Sequence, residues 1–177
     1  MKTAVVTGAS SGIGKAISVR LLALGFEVIG ISRSIQKQNF NPPNITALQA
    51  DLSNEKSTLK LCENLKRTSV HILVNCAGFG RFEPHEELNH QTILDMTFLN
   101  LTSPMLLTNT LLRSLKTNEG YLININSIEA IRPSKFAGVY SATKAGLKAF
   151  SDSLFEETRK SGLSITNINP DMTESSF

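Results

Sequence analysis

The chain contains no tryptophan and only two cysteines, Cys62 and Cys76. Two cysteines do not make a disulfide framework, and their spacing is not that of a metal-binding motif. We therefore expect both to pack in the core, and we expect a cytoplasmic protein because the cytoplasm keeps thiols reduced. The three histidines, His71, His85 and His90, also lack the spacing of metal ligands, so the sequence predicts no metal site.

Charge of one sign and long apolar runs are also scarce. The formal net charge is only +3 and the basic residues are scattered, which gives no indication of a nucleic-acid-binding surface. No apolar run approaches the length of a membrane span, and the N-terminus lacks the features of a signal peptide. We expect neither nucleic acid nor a membrane as a partner. The length of 177 residues suits a single domain over residues 1–177.

Short apolar segments alternate with helical patterns along the whole chain. Most of the apolar segments are nearly continuous, as expected of strands that are covered on both faces. The predicted strands are Thr3–Thr7, Phe26–Ile31, Ile45–Ala50, Val70–Asn75, Tyr121–Asn126 and Leu163–Ile168, with a break at Asn41–Asn44 before the third. Helical patterns are centred on Ile13–Leu24 and Leu59–Leu65 and run from about Glu86 to Lys116 and from about Val139 to Lys160. The order predicts an α/β fold of Rossmann type, with a doubly wound parallel sheet in three αβα layers.

A glycine-rich segment follows the first predicted strand at once. Gly8, Gly12 and Gly14 lie between this strand and a helix. Glycines there allow a tight turn and a close approach of the backbone to a pyrophosphate, while the helix start offers free N–H groups. The spacing Gly-x-x-x-Gly-x-Gly differs from the common Gly-x-Gly-x-x-Gly fingerprint and lacks the Lys-Ser/Thr of an ATP-binding loop. We interpret the segment as a dinucleotide-binding loop; a glycine turn that binds nothing is the alternative.

The end of the second predicted strand bears on the choice of cofactor. In a dinucleotide-binding fold, an acidic residue about 20 positions after the glycines binds the ribose 2′-hydroxyl. This chain has Ser32 and Arg33 there instead. A small Ser32 leaves room, and Arg33 can pair with a 2′-phosphate through two hydrogen bonds, with Lys15 adding positive charge. The sequence therefore predicts a preference for NADP(H), with NAD(H) possible; an arginine that is merely exposed in a loop is the alternative.

Tyr140 and Lys144 have the spacing of side chains on one face of a helix, one turn apart. A free tyrosine keeps its proton up to a pKa of about 10, and a neighbouring ammonium group lowers that pKa by stabilising the phenolate. Ser127 follows the apolar run Tyr121–Asn126, so its hydroxyl is placed to hold a carbonyl oxygen while Tyr140 transfers a proton. The alternatives are a solvated surface contact for the pair and a helix cap or turn for Ser127.

Taken together, these segments resemble the short-chain dehydrogenase/reductase family. The matching segments, in the order in which the family has them, are Thr7–Gly14, Asp51–Leu52, Asn75–Gly78, Asn100, Ser127, Tyr140–Lys144 and Asn169–Pro170. They span the whole chain and are jointly specific, although each alone is not. The resemblance implies an oxidoreductase that transfers a hydride between a nicotinamide cofactor and a carbonyl or alcohol substrate.

The resemblance also implies roles for individual residues. Tyr140 would be the general acid/base, Ser127 would orient the substrate oxygen, and Asn100 would support a proton relay. Lys144 would lower the pKa of the tyrosine and bind the nicotinamide ribose. With the residues argued above, the predicted cofactor-binding set is Gly8, Ser10, Ser11, Gly12, Ile13, Gly14, Ser32, Arg33, Asp51, Leu52, Asn75, Ala77, Gly78, Tyr140, Lys144, Pro170, Met172 and Thr173. A homodimer or homotetramer and a small-molecule substrate are likewise implied.

The chain departs from the family pattern at a few places. Cys76 stands where the family usually has a second asparagine, and Asp171 stands where it usually has glycine. Family members continue with a substrate-covering segment and one more strand, so we expect this chain, which ends at Phe177, to lack both. A protein that binds the nucleotide as a sensor or scaffold, without redox turnover, is therefore the alternative function.

Pro104 raises a question about the helix that carries Asn100. It lies four residues after Asn100 and has no N–H group. If the helix continues through it, the carbonyl of Asn100 loses its usual partner and can hold a water. If instead a helix ends near Asn100, Pro104 lies in the first turn of the next helix. The sequence favours neither.

Overall fold

The fold is built on one parallel sheet, which the computed structural model describes together with its helices over residues 1–36 and 45–171. The strands are β1 (Thr3–Thr7), β2 (Glu27–Ser32), β3 (Ile45–Gln49), β4 (Ile72–Asn75), β5 (Tyr121–Ile125) and β6 (Ser164–Ile168). The α-helices are α1 (Gly12–Ala23), α2 (Glu55–Leu65), α3 (His90–Thr97), α4 (Ser103–Thr117) and α5 (Gly138–Thr158). The strand order β3-β2-β1-β4-β5-β6 confirms the predicted doubly wound α/β architecture.

Helices cover both faces of the sheet, which explains the nearly continuous apolar strands. Alternate residues of β1 point to opposite sides: Val5 packs in a cluster with α2, α4 and α5, whereas Ala4 and Val6 pack in a cluster with α1. Leu111 of α4 and Leu73 of β4 are fully buried on the first face. The three predicted layers are therefore present.

Most predicted element boundaries agree with the structure to within one or two residues. Two helix ends carry residue types typical of caps: Gly25 follows α1 with a φ of +83°, and the side chain of Asn54 accepts a hydrogen bond from the N–H of Ser57 at the start of α2. The long helical prediction from Glu86 is wrong at its start, because a 3₁₀ turn at His85–Glu87 precedes the helix. The predicted break at Asn41–Asn44 lies outside the described residues.

The helical backbone continues from α3 into α4, which answers the question that Pro104 raises. A π-helical segment, Phe98–Thr102, joins the two, and the N–H of Ser103 bonds to the carbonyl of Phe98, five residues back. Thr97 and Thr102 both keep right-handed helical angles. Pro104 then falls at the start of α4 without breaking the helix. The π segment places Asn100 in the interior, where it is 1% exposed.

Candidate active site

The glycine-rich loop packs against the turn that follows β4. Gly8 has a φ of +67°, and a Cβ atom there would lie 3.1 Å from the backbone N of Ala77. A Cβ atom on Gly14 would lie 2.3 Å from the carbonyl oxygen of Gly8, which leaves no space for any side chain. The structure thus shows protein backbone packed closely against protein backbone at Gly8 and Gly14, and the close approach of this loop to a pyrophosphate stays a prediction.

Thr7 joins the same two segments from below. Its Oγ1 accepts hydrogen bonds from the N–H groups of Cys76 at 2.9 Å and Ala77 at 3.0 Å, and its side chain is buried. These bonds hold the turn after β4 against the end of β1. The sequence matched Thr7 to the family pattern but predicted no role for it, since its partners lie about 70 residues away.

Ser127 and Tyr140 meet beyond the carboxyl end of β5. Ser127 is the N-cap of a 3₁₀ turn, Ile128–Ala130, and its Oγ accepts a hydrogen bond from the N–H of Glu129 at 3.2 Å. Tyr140 lies in the first turn of α5, is 6% exposed, and is hydrogen-bonded to the side chain of Ser127. Ser127 is thus both the turn cap that the sequence offered as an alternative and a partner of the tyrosine.

Lys144 lies one turn further along α5, as its spacing predicts. Its side chain is only 4% exposed, and its Nζ donates a hydrogen bond to the carbonyl oxygen of Ile125 at 3.0 Å. The Nζ lies 5.8 Å from the centre of the Tyr140 ring. Burial lowers the pKa of Lys144 to about 8, because the charged form loses its hydration.

The electrostatics of Tyr140 differ from the sequence-based expectation. The sequence predicts a lowered pKa for Tyr140, but burial raises it above the ordinary value. The hydrogen bond with Ser127 opposes this rise, and the negative charge of Glu129 adds to it. In the protein alone, the loss of hydration of the phenolate therefore raises the pKa of Tyr140 by more than the contacts that stabilise the phenolate lower it.

Asn100 connects three parts of the site. Its Nδ2 donates to the carbonyl of Phe79 at 2.8 Å and to Oγ1 of Thr143 at 3.2 Å, while its Oδ1 accepts from the N–H of Phe79 at 3.0 Å. A Cβ atom on Gly78 would lie 3.0 Å from that Oδ1, so glycine leaves space between the loop and the helix. The Asn100 side chain thereby holds the loop after β4 against α5.

Two adjoining cavities contain most of the predicted site residues. The first holds Gly8, Ser11, Gly12, Ile13, Gly14, Ala77, Gly78, Ser127, Tyr140, Lys144 and Pro170. The second holds Gly8, Ser10, Ser11, Ser32, Arg33, Asp51, Leu52, Ala77 and Gly78. The residues common to both lie on the glycine-rich loop and the turn after β4, so the cavities meet there. Met172 and Thr173 lie outside the described residues.

Asn75 and Asn100 are buried and lie beneath the cavities, lining neither. The Nδ2 of Asn75 donates to Oδ1 of Asn124 at 2.8 Å, and Nδ2 of Asn124 donates to Oγ of Ser151 at 2.8 Å. This buried chain of amides joins β4, β5 and α5. A cofactor contact of Asn75 stays a prediction.

Asp51 lies in the second cavity with Arg33. Its Oδ1 accepts hydrogen bonds from the Oγ of Ser53 at 2.7 Å and from the N–H of Ser53 at 3.0 Å. These bonds, together with the positive charge of Arg33, hold the pKa of Asp51 below its ordinary value against the opposing effect of burial. The carboxylate is therefore ionised at neutral pH beside the predicted 2′-phosphate position.

Seven further residues line the first cavity although the sequence predicted no role in the site for them, among them Phe82, Cys76, Glu129 and Asp171. Phe82 places its ring centre 5.4 Å from that of Tyr140. Cys76 packs against the core as predicted and also faces the cavity; burial raises the pKa of its thiol to about 11. Glu129 and Asp171 add two carboxylates. Cys76 lies inside a matched segment, and Glu129 and Asp171 lie within two residues of matched positions. The signals in the sequence were the departures from the family pattern at Cys76 and Asp171 and the loop position of Phe82.

The sequence matches a family description. The pattern of the family described as short chain dehydrogenase matches residues 2–177. An uncharacterised oxidoreductase of Staphylococcus epidermidis is 33% identical over 184 residues, which cover 98% of this chain and 78% of that protein. The chain belongs to the short-chain dehydrogenase family. Carbonyl reductase family member 4 of Danio rerio, at 30% identity, is matched over 96% of this chain and 74% of its own length.

Solved structures of short-chain dehydrogenases share this architecture. A metagenomic short-chain oxidoreductase in complex with NADP superposes with a TM-score of 0.88 at 27% identity, covering 97% of this chain and 83% of that one. A 4-hydroxyisoleucine dehydrogenase complexed with NADH superposes with a TM-score of 0.88 at 25% identity, covering 99% and 78%. The protein is therefore an oxidoreductase of this family.

The glycines at the two cavities leave space for a dinucleotide of the kind bound in those two structures. Gly8 and Gly78 line both cavities and Gly14 lines the first, and each contributes backbone without a side chain. No helix within the described residues is both long and apolar enough to cross a membrane. Over the same residues, no three potential metal-ligating side chains cluster together.

Proposed function

We propose that this protein is an NADP(H)-dependent carbonyl reductase or alcohol dehydrogenase in which Tyr140 moves the proton. The observation that carries the proposal is the convergence of Ser127, Tyr140 and Lys144 on the cavity that begins at the glycine-rich loop. Serine and tyrosine hydroxyls in mutual hydrogen-bond contact can both reach one substrate oxygen. A buried cation one turn away favours the phenolate whenever it carries its charge.

Each residue has a distinct part in the proposed reaction. Ser127 holds the carbonyl oxygen of the substrate, and Tyr140 donates its proton to that oxygen during reduction or accepts it during alcohol oxidation. Lys144 would bind the nicotinamide ribose and balance the negative charge of the phenolate. Asn100 holds Phe79 and Thr143 in place beneath them. The nicotinamide ring, when bound, supplies or receives the hydride.

Replacing Tyr140 with phenylalanine tests the role of the hydroxyl. We expect Tyr140→Phe to lose at least about 100-fold in turnover of a panel of aldehydes and ketones, followed by NADPH absorbance, because it removes the proton donor. NADPH binding should stay within about threefold of wild type, since the ring remains. Tyr121→Phe, which changes the other tyrosine, half-exposed on β5, is the matched control. Near-normal turnover in Tyr140→Phe would rule out the mechanism.

The preference for NADP(H) is supported by the second cavity. Ser32 and Arg33 line it together with Ser10 and Ser11 of the glycine-rich loop, and Arg33 is exposed there. A guanidinium group in that place suits a 2′-phosphate. The positive charge of Arg33 also helps to lower the pKa of Asp51, so the two groups are within electrostatic reach of each other.

A substitution of Arg33 tests whether the protein prefers NADPH to NADH. We expect Arg33→Ala to weaken NADPH binding by about 10- to 100-fold, the loss of a charged hydrogen-bonded pair, and to leave NADH binding nearly unchanged. The fluorescence of the reduced nicotinamide measures both affinities, and the absence of tryptophan removes one source of background. Arg67→Ala, at an exposed position on another surface, is the control. Equal losses for both cofactors would contradict the proposal.

We also propose a small-molecule carbonyl or alcohol substrate and a homodimer or homotetramer. The cavity that contains Tyr140 has a mixed wall, with Phe82 and Ile128 beside Glu129 and Asp171. Exposed apolar side chains on two helices, Leu94 of α3 and Phe155 of α5, support self-association. The molar mass from light scattering tests the assembly.

A further inference from the structure

Glu129 lies between the two segments that carry the catalytic hydroxyls. Its Oε2 accepts a hydrogen bond from the Oγ of Ser141 at 2.6 Å and another from the N–H of Ser134 at 2.9 Å. Ser141 follows Tyr140 directly in the first turn of α5 and is only 4% exposed. A short bond between a carboxylate and a buried hydroxyl is stronger than one between neutral groups in water. The carboxylate thus anchors α5 at the residue next to Tyr140.

The backbone of Glu129 makes a second connection. Its N–H donates to the Oγ of Ser127 at 3.2 Å, and that side chain is hydrogen-bonded to Tyr140. The contacts form a closed ring: Ser127 to Glu129, Glu129 to Ser141, Ser141 along the backbone to Tyr140, and Tyr140 back to Ser127. The ring closes across the loop between the 3₁₀ turn and α5. Opening the Glu129–Ser141 bond removes the side-chain hydrogen bond that ties the turn to the residue next to Tyr140, while the bond from Lys144 to the carbonyl of Ile125 remains further along α5.

We propose that Glu129 is a positioning residue, whose carboxylate ties the turn that carries Ser127 to the helix that carries Tyr140 and so keeps the two hydroxyls in contact. It acts through Ser141. The kinetic consequence of this inference rests on the proposed function. The structural consequence does not, because the contact between Ser127 and Tyr140 exists without substrate or cofactor.

The charge of Glu129 has an effect separate from its hydrogen bonds. Although burial opposes it, the bonds from Ser134 and Ser141 lower the pKa of Glu129, so the carboxylate is ionised at neutral pH. Its charge raises the pKa of Tyr140. The other titratable groups lining this cavity are Cys76, Lys144 and Asp171. A substitution of Glu129 that keeps its hydrogen bonds and removes its charge therefore distinguishes its effect on the position of Tyr140 from its effect on the pKa of Tyr140.

A spectroscopic experiment tests the ring directly. The chain has only two tyrosines, so in a Tyr121→Phe background a carbon-13 label at Cζ of tyrosine reports Tyr140 alone. At pH 7.5 we expect Ser141→Ala to move this resonance in the same direction as Ser127→Ala, because both weaken the hydrogen bond of Tyr140. Glu157→Ala, at an exposed position of α5, should leave it in place. A resonance that Ser127→Ala moves and Ser141→Ala leaves unchanged would overturn the proposal.

Kinetics then separate positioning from folding. With NADPH and 4-nitrobenzaldehyde as probes, we expect Ser141→Ala and Glu129→Ala to lower kcat by about tenfold, with KM for NADPH unchanged. Glu129→Gln should recover most of that loss, since an amide oxygen can accept both hydrogen bonds. The same low kcat in Glu129→Gln and Glu129→Ala would contradict positioning through these bonds. If wild type reduces no carbonyl compound, the proposed function fails while the spectroscopic result still decides the role of Glu129.

Discussion

At the scale of single residues, burial shifts the pKa values of the proposed catalytic pair, Tyr140 and Lys144. Tyr140 and Lys144 are both less than 10% exposed, and both shifts favour the neutral form: the pKa of the tyrosine rises and that of the lysine falls to about 8. The spacing of four residues predicts that the two side chains share a helix face. It does not predict their depth, which depends on what the rest of the chain places over them.

The lowered pKa of Lys144 makes stability depend on pH. Between the folded pKa of about 8 and the ordinary value of 10.5, the unfolded chain binds a proton that the folded chain has released. Stability from this group therefore rises with pH, by about 1 kcal/mol between pH 8 and pH 9. Cys76, with its pKa raised to about 11 from 9.0, acts in the opposite sense.

Urea denaturation of wild type and Lys144→Met at both pH values measures this effect. The difference in the free energy of unfolding between the two proteins isolates Lys144, because Cys76 is present in each. We expect that difference to shift in favour of wild type by about 1 kcal/mol from pH 8 to pH 9. If the free energies of unfolding of the two proteins changed in parallel with pH, the pKa of the Lys144 amine would not be lowered in the folded protein.

At the scale of elements, the start of α1 is held by contacts that exclude side chains. Gly14 faces the carbonyl of Gly8 so closely that even a methyl group would displace one of the two segments. The loop would then move away from the turn after β4. Gly138, at the start of α5, provides a contrast, because nothing lies within 4 Å of a Cβ atom placed there.

The two glycines make a matched pair of alanine substitutions. We expect Gly14→Ala to weaken NADPH binding by at least about tenfold and to lower stability by about 1 to 3 kcal/mol, the usual cost of overpacking. Gly138→Ala should leave both within error or raise stability slightly. Cofactor fluorescence titration and thermal unfolding measure the two effects. NADPH affinity unchanged by Gly14→Ala would show that the loop has room to adapt.

At the scale of the whole molecule, the parallel sheet brings distant segments to one edge. The glycine-rich loop follows β1, Gly78 follows β4 and Ser127 follows β5, and these strands are neighbours in the order β2-β1-β4-β5. Each connection returns the chain to the same edge, so the carboxyl ends of the strands collect the groups that we propose for catalysis and cofactor binding. The reported cavities lie at that edge for this reason.

The sequence by itself determined the elements and much of the site. The strands, the caps at Gly25 and Asn54, the glycine spacing of the loop and the pairing of Tyr140 with Lys144 all depend on residues close together in the chain. Hydrophobic periodicity and backbone preference depend on residues that are neighbours in the sequence, so both can be predicted without knowledge of the fold.

Only the tertiary structure decided how those parts act on one another. The bonds of Thr7 to the turn after β4, the contact of Asn100 with Phe79 and the bridge from Glu129 to Ser141 join segments whose separation in the chain carries no pattern. The direction of the pKa shift of Tyr140 was likewise decided only by the tertiary structure. Burial and charge at one atom depend on every segment packed around it, and that packing exists only once the chain has folded.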